Sequence, residues 1–150
     1  MLAAKCGAKV TISDSASLPK TLQHIHRVCQ KNNLNSDKVQ IIGITWGFFF
    51  NQLFDLCNID LIIASDCFYE PLLFEDIIVT VAFLLNRFPH SKFLCTYQER
   101  SADWSVEHLL HKWSLSCRQI DISTLGTNSS LNISDHIQDH TIHLLEISKK

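Results

Sequence analysis

Two hydrophobic periods alternate along this chain. Lys9-Val10-Thr11-Ile12-Ser13 switches polar and apolar residue by residue, which predicts a strand. Val39 to Thr45 predicts a second, and Ile59 to Ser65 a third. The third contains Leu61-Ile62-Ile63-Ala64, apolar on both faces, a pattern expected of a strand buried in the middle of a parallel sheet. Lys92 to Tyr97, Ser116 to Ser123 and Thr141 to Ser148 supply three more; in the last, Ile142, Leu144 and Ile147 are expected to face a core. Between these runs the period lengthens. Leu18, Leu22, Ile25 and Cys29 make one helical face, and Phe74, Ile77, Ile78, Val81, Leu84, Leu85 and Phe88 make the clearest one, over Leu72 to Phe88. Val106, Leu109, Leu110 and Trp113 mark a third helix. Strands alternating with helices imply an α/β fold with a mostly parallel sheet. The final two strands have no helix between them, which implies an antiparallel edge.

Boundary signals sharpen these elements. Leu2 to Cys6 followed by Gly7 reads as the last turns of a helix with a glycine C-cap. Ser17 is expected to cap the next helix, with Pro19 in its first turn and Asn32-Asn33 at its end. The aromatic link Phe48 to Cys57 has room for at most a brief helix, its Phe48, Phe49, Phe50 and Phe54 packing or lining a cleft. Glu75 and Asp76 suit the first turn of the long helix, where the dipole favours them. Asp103 is the expected N-cap of the following helix, and Thr124 to His140 is polar and reads as loop.

Composition narrows the function classes. With 150 residues and 46% apolar content the chain is long enough for a single domain with a core. Thirteen basic and fifteen acidic side chains, net −2 and without runs, give no polybasic surface for direct nucleic-acid binding. The longest apolar run, Ile77 to Leu85, falls short of the ~18 residues of a membrane helix, so no membrane association is expected. Met1 to Lys5 is too short and wrongly ordered for a secretory signal. The six cysteines contain no C-x-x-C pair and read as free thiols in a reducing compartment, which makes the N-x-S matches at Asn128 and Asn132 chance. The eight histidines show no zinc spacing, and no metal site is expected.

Candidate chemistry gathers where strands end, because ligands of open α/β sheets bind outside the carboxyl ends of the strands. Asp66, Tyr69 and Glu70, closed by Pro71, follow the third strand; the same residues suit a helix N-cap at Asp66 with a proline turn. Asp14 ends the first strand, placed either to accept from a ribose diol or to begin a turn with Ser15 and Ser17. Trp46 ends the second, offering a flat face to a base or filling core. Gln98-Glu99-Arg100 ends the fourth, where Tyr97, Glu99 and Arg100 read as structural.

Five stretches together resemble a known family: L-A-A-K-C-G-A at Leu2 to Ala8, I-S-D-S at Ile12 to Ser15, T-W-G at Thr45 to Gly47, A-S-D-C-F-Y-E-P at Ala64 to Pro71, and T-Y-Q-E-R-S-A-D-W-S at Thr96 to Ser105. In this order they resemble the seven-strand S-adenosylmethionine-dependent methyltransferases, specifically the family 16 protein methyltransferases. The resemblance implies a Rossmann-like fold with S-adenosyl-L-methionine as cofactor. It implies that Asp14 holds the cofactor's ribose, that Trp46 lies beside adenine, and that Ser65 and Asp66 stand between cofactor and substrate. Asp66 and Tyr69 match the family's D-x-x-Y/F motif, with Glu70 beside them as a second acid. The implied substrate is a protein side-chain nitrogen, arginine on a histone tail with lysine as the alternative; Phe68 and Tyr69 would shape its channel. A monomer in cytoplasm and nucleus is expected. The family's first strand and its E-x-G-x-G loop would precede Leu2. The chain therefore reads as an incomplete domain, whose expected alternative role is a non-catalytic protein-binding module.

Overall fold

The computed structural model describes residues 1–101, 104–122 and 142–150. They form two compact units, Met1–Leu56 and Cys57–Lys150. The cap expected at Asp103, the loop expected over Thr124 to His140 and the two N-x-S matches lie outside the described residues. No helix among the described residues is long and apolar enough to cross a membrane.

The first unit begins with helix α1 (Leu2–Lys5). Gly7, at φ +98, closes it: the Gly7 N–H donates to the Ala4 carbonyl at 3.2 Å and the Ala8 N–H to the Ala3 carbonyl at 3.0 Å. That pair of bonds is the Schellman cap foreseen from the glycine, and it satisfies carbonyls the short helix leaves open. Strands β1 (Val10–Ser15) and β2 (Val39–Ile44) pair in parallel from Val10↔Val39 to Ser15↔Ile44, with helix α2 (Pro19–Lys31) as the crossover. The core is small: Ala4, Cys29, Leu34 and Val39, with Val10, Ile12, Ile25 and Ile41 packed on it.

Gly43 is fixed by close approach. A Cβ there would lie 2.9 Å from the Cα of Ala16, so the strand can pass the loop after β1 only without a side chain. Pro19 opens α2 as expected, but Ser17 does not cap it. Its Oγ meets the Ser15 Oγ at 2.8 Å and its N–H donates to that same oxygen at 3.3 Å, a local turn that competes with the cap. Leu18 is then the N-cap residue and is exposed. Helix α3 (Asn51–Phe54) is as brief as the sequence allows and buries only Leu53. Phe48, Phe49, Phe50 and Phe54 stay exposed, against the first of the two expectations, packing, and leaving the second, lining a cleft, untouched; Phe48 and Phe50 stack on each other at 6.1 Å.

The second unit holds a four-stranded sheet in the order β3-β4-β6-β5, from β3 (Leu61–Ser65), β4 (Lys92–Gln98), β5 (Leu115–Ile120) and β6 (Ile142–Lys149). β3 and β4 are parallel; β6 runs antiparallel to both β4 and β5. The sheets of the chain are thus mixed, and antiparallel pairing goes deeper than one edge. A 3₁₀ turn (Pro71–Leu73) leads into helix α4 (Phe74–Arg87), and α5 (Glu107–Lys112) precedes β5. The α4 stripe is buried as its period predicted, except that Phe88 falls just past the helix and is half-buried. The stripe shares this unit's interior with Phe68, Phe93, Cys95 and Ile147, and its Phe74 meets Phe68 edge-on.

Two strand expectations need correction. β3 is the outermost strand of this unit's sheet among the described residues, and its burial alternates: Leu61 and Ile63 are exposed, Ile63 by 66%. A continuous apolar run marks burial on both faces only where both are covered, and here one is. In β6 Ile147 is fully buried, as expected, but Ile142 and Leu144 stand on the opposite face and are only half-buried. Ile147, Leu145 and His143 lie across from Phe93, Cys95 and Tyr97, whereas Ile142 and Leu144 share the face of Glu146. Register on β4 decides the face, and a one-residue slip exchanges the two.

Candidate active site

The sequence reading of Ser65, Asp66, Tyr69 and Glu70 puts them after β3, and the structure gathers the polar end of β4 around the first two. Ser65 pairs with Thr96 across the parallel strands, and the Thr96 hydroxyl donates to the Ser65 hydroxyl at 3.3 Å. One residue on, the chain leaves the strand through Asp66 at φ +51. That left-handed conformation is uncommon outside glycine, and aspartate and asparagine tolerate it best. It is held by Thr96, whose carbonyl accepts the Asp66 N–H at 2.9 Å while its hydroxyl lies 3.2 Å from the same nitrogen. An exposed turn strained in this way is a frequent mark of a functional position.

The carboxylate of Asp66 is held from two sides. Arg100, two residues beyond β4, places a bidentate guanidinium fork on it, with Nη1 donating to Oδ1 at 3.0 Å and Nη2 to Oδ2 at 2.5 Å. The backbone N–H of Gln98 donates as well. The Arg100 hydrogen bond, more than the Gln98 one, lowers the pKa of Asp66 against the opposing effect of desolvation. Asp66 is therefore an anion at neutral pH. Both partners remain partly exposed, Asp66 by 40% and Arg100 by 32%.

Glu70, rather than Asp66, caps the turn that follows. Its carboxylate accepts the Leu72 N–H at 3.5 Å, at the head of the 3₁₀ segment. Tyr69 is 59% exposed, and Phe68 beside it is fully buried. Phe68 meets Phe74 and Tyr97 edge-on at 5.3 and 6.2 Å. Phe68 is thus a core residue and not a channel wall, and Tyr69 beside it faces out.

Three features here went unread in the sequence. Arg100 was taken as structural and Thr96 was passed over; both become site neighbours only because β3 and β4 are adjacent and parallel. Cys67 and Cys95 share a hydrogen bond, which pushes the Cys95 thiol up and Cys67 down. The sequence signals for Thr96 and Arg100 are the charged strand tip Glu99-Arg100 and the family-like stretch from Thr96 to Ser105, and neither points to Asp66. All six cysteines are free, as expected. Tyr97 is anchored: its hydroxyl donates to the Trp104 carbonyl at 2.9 Å, and burial raises its pKa. Glu99 pairs with His143 at 3.1 Å.

The expected cofactor residues Asp14 and Trp46 lie in the first unit, at the carboxyl end of its two parallel strands. Asp14 is opposite Gly43, and Trp46 follows β2 by two residues. One Asp14 oxygen accepts the Ser15 N–H at 2.7 Å. The other has no protein partner among the described residues, and the side chain is half-buried, an acceptor that fits a vicinal diol. Trp46 is half-buried too, in the turn closed by the Phe48 N–H to Thr45 carbonyl bond at 3.1 Å.

Comparison with known proteins gives this geometry a setting. Residues 1–110 match the methyltransferase family 16 model, described as lysine methyltransferase. The chain is 48% identical over 149 residues to histone-arginine methyltransferase METTL23 of Xenopus laevis, covering 99% of this chain and 63% of that protein. The human protein of the same name is 42% identical over 149 residues, with 99% and 77% covered. The chain thus spans a little under two thirds of the Xenopus relative's length and 65% of the rat relative's. Among solved structures it resembles the METTL16 methyltransferase domain, at TM-score 0.55 and 10% identity, over 93% of this chain and 49% of that one. It also resembles the [4+2]-cyclase SpnF, at TM-score 0.53 and 9% identity, over 95% and 66%. At such identities the likeness is one of Rossmann-like fold, and the cyclase illustrates that the fold alone does not dictate a reaction.

Proposed function

This chain belongs to the family 16 methyltransferases, and from that premise we propose that it serves an S-adenosyl-L-methionine-dependent transfer of methyl to a protein side-chain nitrogen, with arginine on a histone tail as the acceptor. The observation that carries the arginine reading is the Asp66 carboxylate, exposed at a strand tip and already accepting a guanidinium in a two-bond fork. That fork matches arginine and not the point charge of lysine. The names of the relatives favour the same acceptor, while the description of the family favours lysine.

S-adenosyl-L-methionine, when bound, supplies a methyl group activated on a sulfonium. Asp14 would hold its ribose hydroxyls and Trp46 its adenine, with Ser65 and Asp66 facing the acceptor. The protein's own work is alignment and charge placement. A guanidinium, with a pKa above ~12, must be oriented and must lose a proton as the transfer proceeds. Asp66, kept ionised by its partners, suits orientation and is a poor first proton acceptor. Glu70, exposed at the head of the next turn, is the second carboxylate available for that step. Tyr69, exposed in the same segment, would flank the acceptor's alkyl stem. The natural setting for such a substrate is nucleus and cytoplasm.

The test is labelled-methyl incorporation into core histones, with the modified residue read by mass spectrometry, beside calorimetric titration with S-adenosylhomocysteine. Asp66→Asn is the informative variant, because asparagine tolerates φ +51 better than alanine while losing the charge. Methylarginine that drops about a hundredfold or more in Asp66→Asn is expected. Methyllysine as the product would replace the acceptor assignment. Failure to bind S-adenosylhomocysteine would rule out catalysis by this chain.

A further inference from the structure

Asp66 is restrained by two independent sets of contacts, and only one of them is exposed. Its backbone is pinned through Thr96, and its carboxylate takes the Gln98 N–H. Neither contact needs Arg100. The Arg100 fork is the remaining one, lies at the surface, and sits on a side chain beyond the end of β4. Removing it would leave Asp66 pinned at Thr96 and Gln98, with the two positions the Arg100 fork now fills open to another fork of the same shape.

We propose that Arg100 is an internal competitor at this site: its guanidinium occupies the Asp66 carboxylate in the free protein, and an incoming guanidinium must displace it. This rests on the reading of Asp66 as the acceptor-orienting residue. Arg100 then sets the affinity of every ligand that uses Asp66. The apparent dissociation constant is the intrinsic one divided by the fraction of molecules with Asp66 open. Because the exchange trades one charge-assisted fork for another, its cost is small, as befits an exposed pair. Lysine in place of Arg100 would compete less well, since an ammonium cannot fork.

The decisive experiment titrates the isotopically labelled full chain with the blocked tripeptide acetyl-Gly-Arg-Gly-amide, following backbone amide shifts near residues 65–70 and 96–100. Wild type, Arg100→Gln, Arg100→Lys and Asp66→Asn are compared, with the citrulline tripeptide as the uncharged control. Arg100→Gln should bind about two- to fivefold more tightly than wild type, with Arg100→Lys between them. Asp66→Asn and the citrulline control should bind least. Weaker binding by Arg100→Gln would overturn the inference, because it would mean that Arg100 stays engaged and helps to hold the ligand. Equal affinities, or no binding by any variant, would overturn it too. Fold loss is monitored by the dispersion of the same spectra, and Arg100→Lys keeps the test open should Arg100→Gln unfold. Methyl incorporation that persists alongside either overturning result would preserve the proposed function and remove only the role of Arg100.

Discussion

The two units of this chain solve the same packing problem with unequal means. In Met1–Leu56 two parallel strands carry one crossover helix over a small cluster, Ala4, Cys29, Leu34 and Val39, with Ile42, Leu53 and Leu56 also buried but no aromatic ring among them. In Cys57–Lys150 four strands support α4, and the interior holds Phe68, Phe93, Ile77, Ile78, Leu85 and Ile147, all fully buried. A pair of strands is marginal by itself, whereas a four-stranded sheet under a helix is not. Stability is therefore concentrated in the unit that carries Asp66 and Arg100. The unit that carries Asp14 and Trp46 depends on backbone fit: the cap at Gly7 and the close approach at Gly43.

The strongest way to break this contrast is Phe68→Ala. The ring is fully buried between Phe74 and Tyr97, so its loss should cost about 3–5 kcal/mol, seen as a lower urea midpoint by tryptophan fluorescence. A midpoint within experimental error of wild type would show that the second unit is not founded on this cluster. Next in size is Gly43→Ala, where the new methyl group meets the Ala16 backbone. It should cost about 1–3 kcal/mol, with amide exchange accelerating in residues 10–15 and 39–44 and unchanged in residues 92–98. Acceleration in both regions would mean that the units unfold together, and the comparison between them would collapse.

The smallest effect is electrostatic and belongs to the second unit alone. Hydrogen bonds from Arg100 depress Asp66, and those from Lys92 and Arg118 depress Glu146, below their ordinary 3.8 and 4.5. A carboxylate depressed in the folded state stabilises above its unfolded pKa and loses that contribution as pH falls through the folded value. Stability should therefore be flat at neutral pH and decline progressively below about pH 4.5, with Asp66→Asn and Glu146→Gln each flattening the decline. Urea midpoints between pH 2 and 7 measure it, and a decline unchanged in both variants would assign acid sensitivity to other groups.

Much of the fold was legible in local pattern. The α4 stripe, the glycine cap at Gly7, the proline at the head of α2 and the antiparallel pairing of the last strands all follow from spacing and residue type. The site was legible only in half. Asp66 stands out because polar residues crowd the end of an apolar run, but Arg100, 34 positions away, has no local sign of its partner. The errors share a cause. Ser17 was lost to a competing turn, the facing of Ile142 and Leu144 to register, and the burial of β3 to the number of covered faces, and each of these is decided by a neighbour.

The sequence by itself determined which segments are helix or strand, the alternation that makes the chain α/β, and the family to which its motifs belong. Those properties are written in the periodicity of apolar residues and in turn chemistry that acts over a few positions. Only the tertiary structure decided that β3 and β4 lie side by side in parallel, and so that Thr96, Gln98 and Arg100 converge on Asp66. Strand adjacency and register depend on which faces can be buried together across the whole unit, a sum over distant contacts that no single stretch of sequence contains.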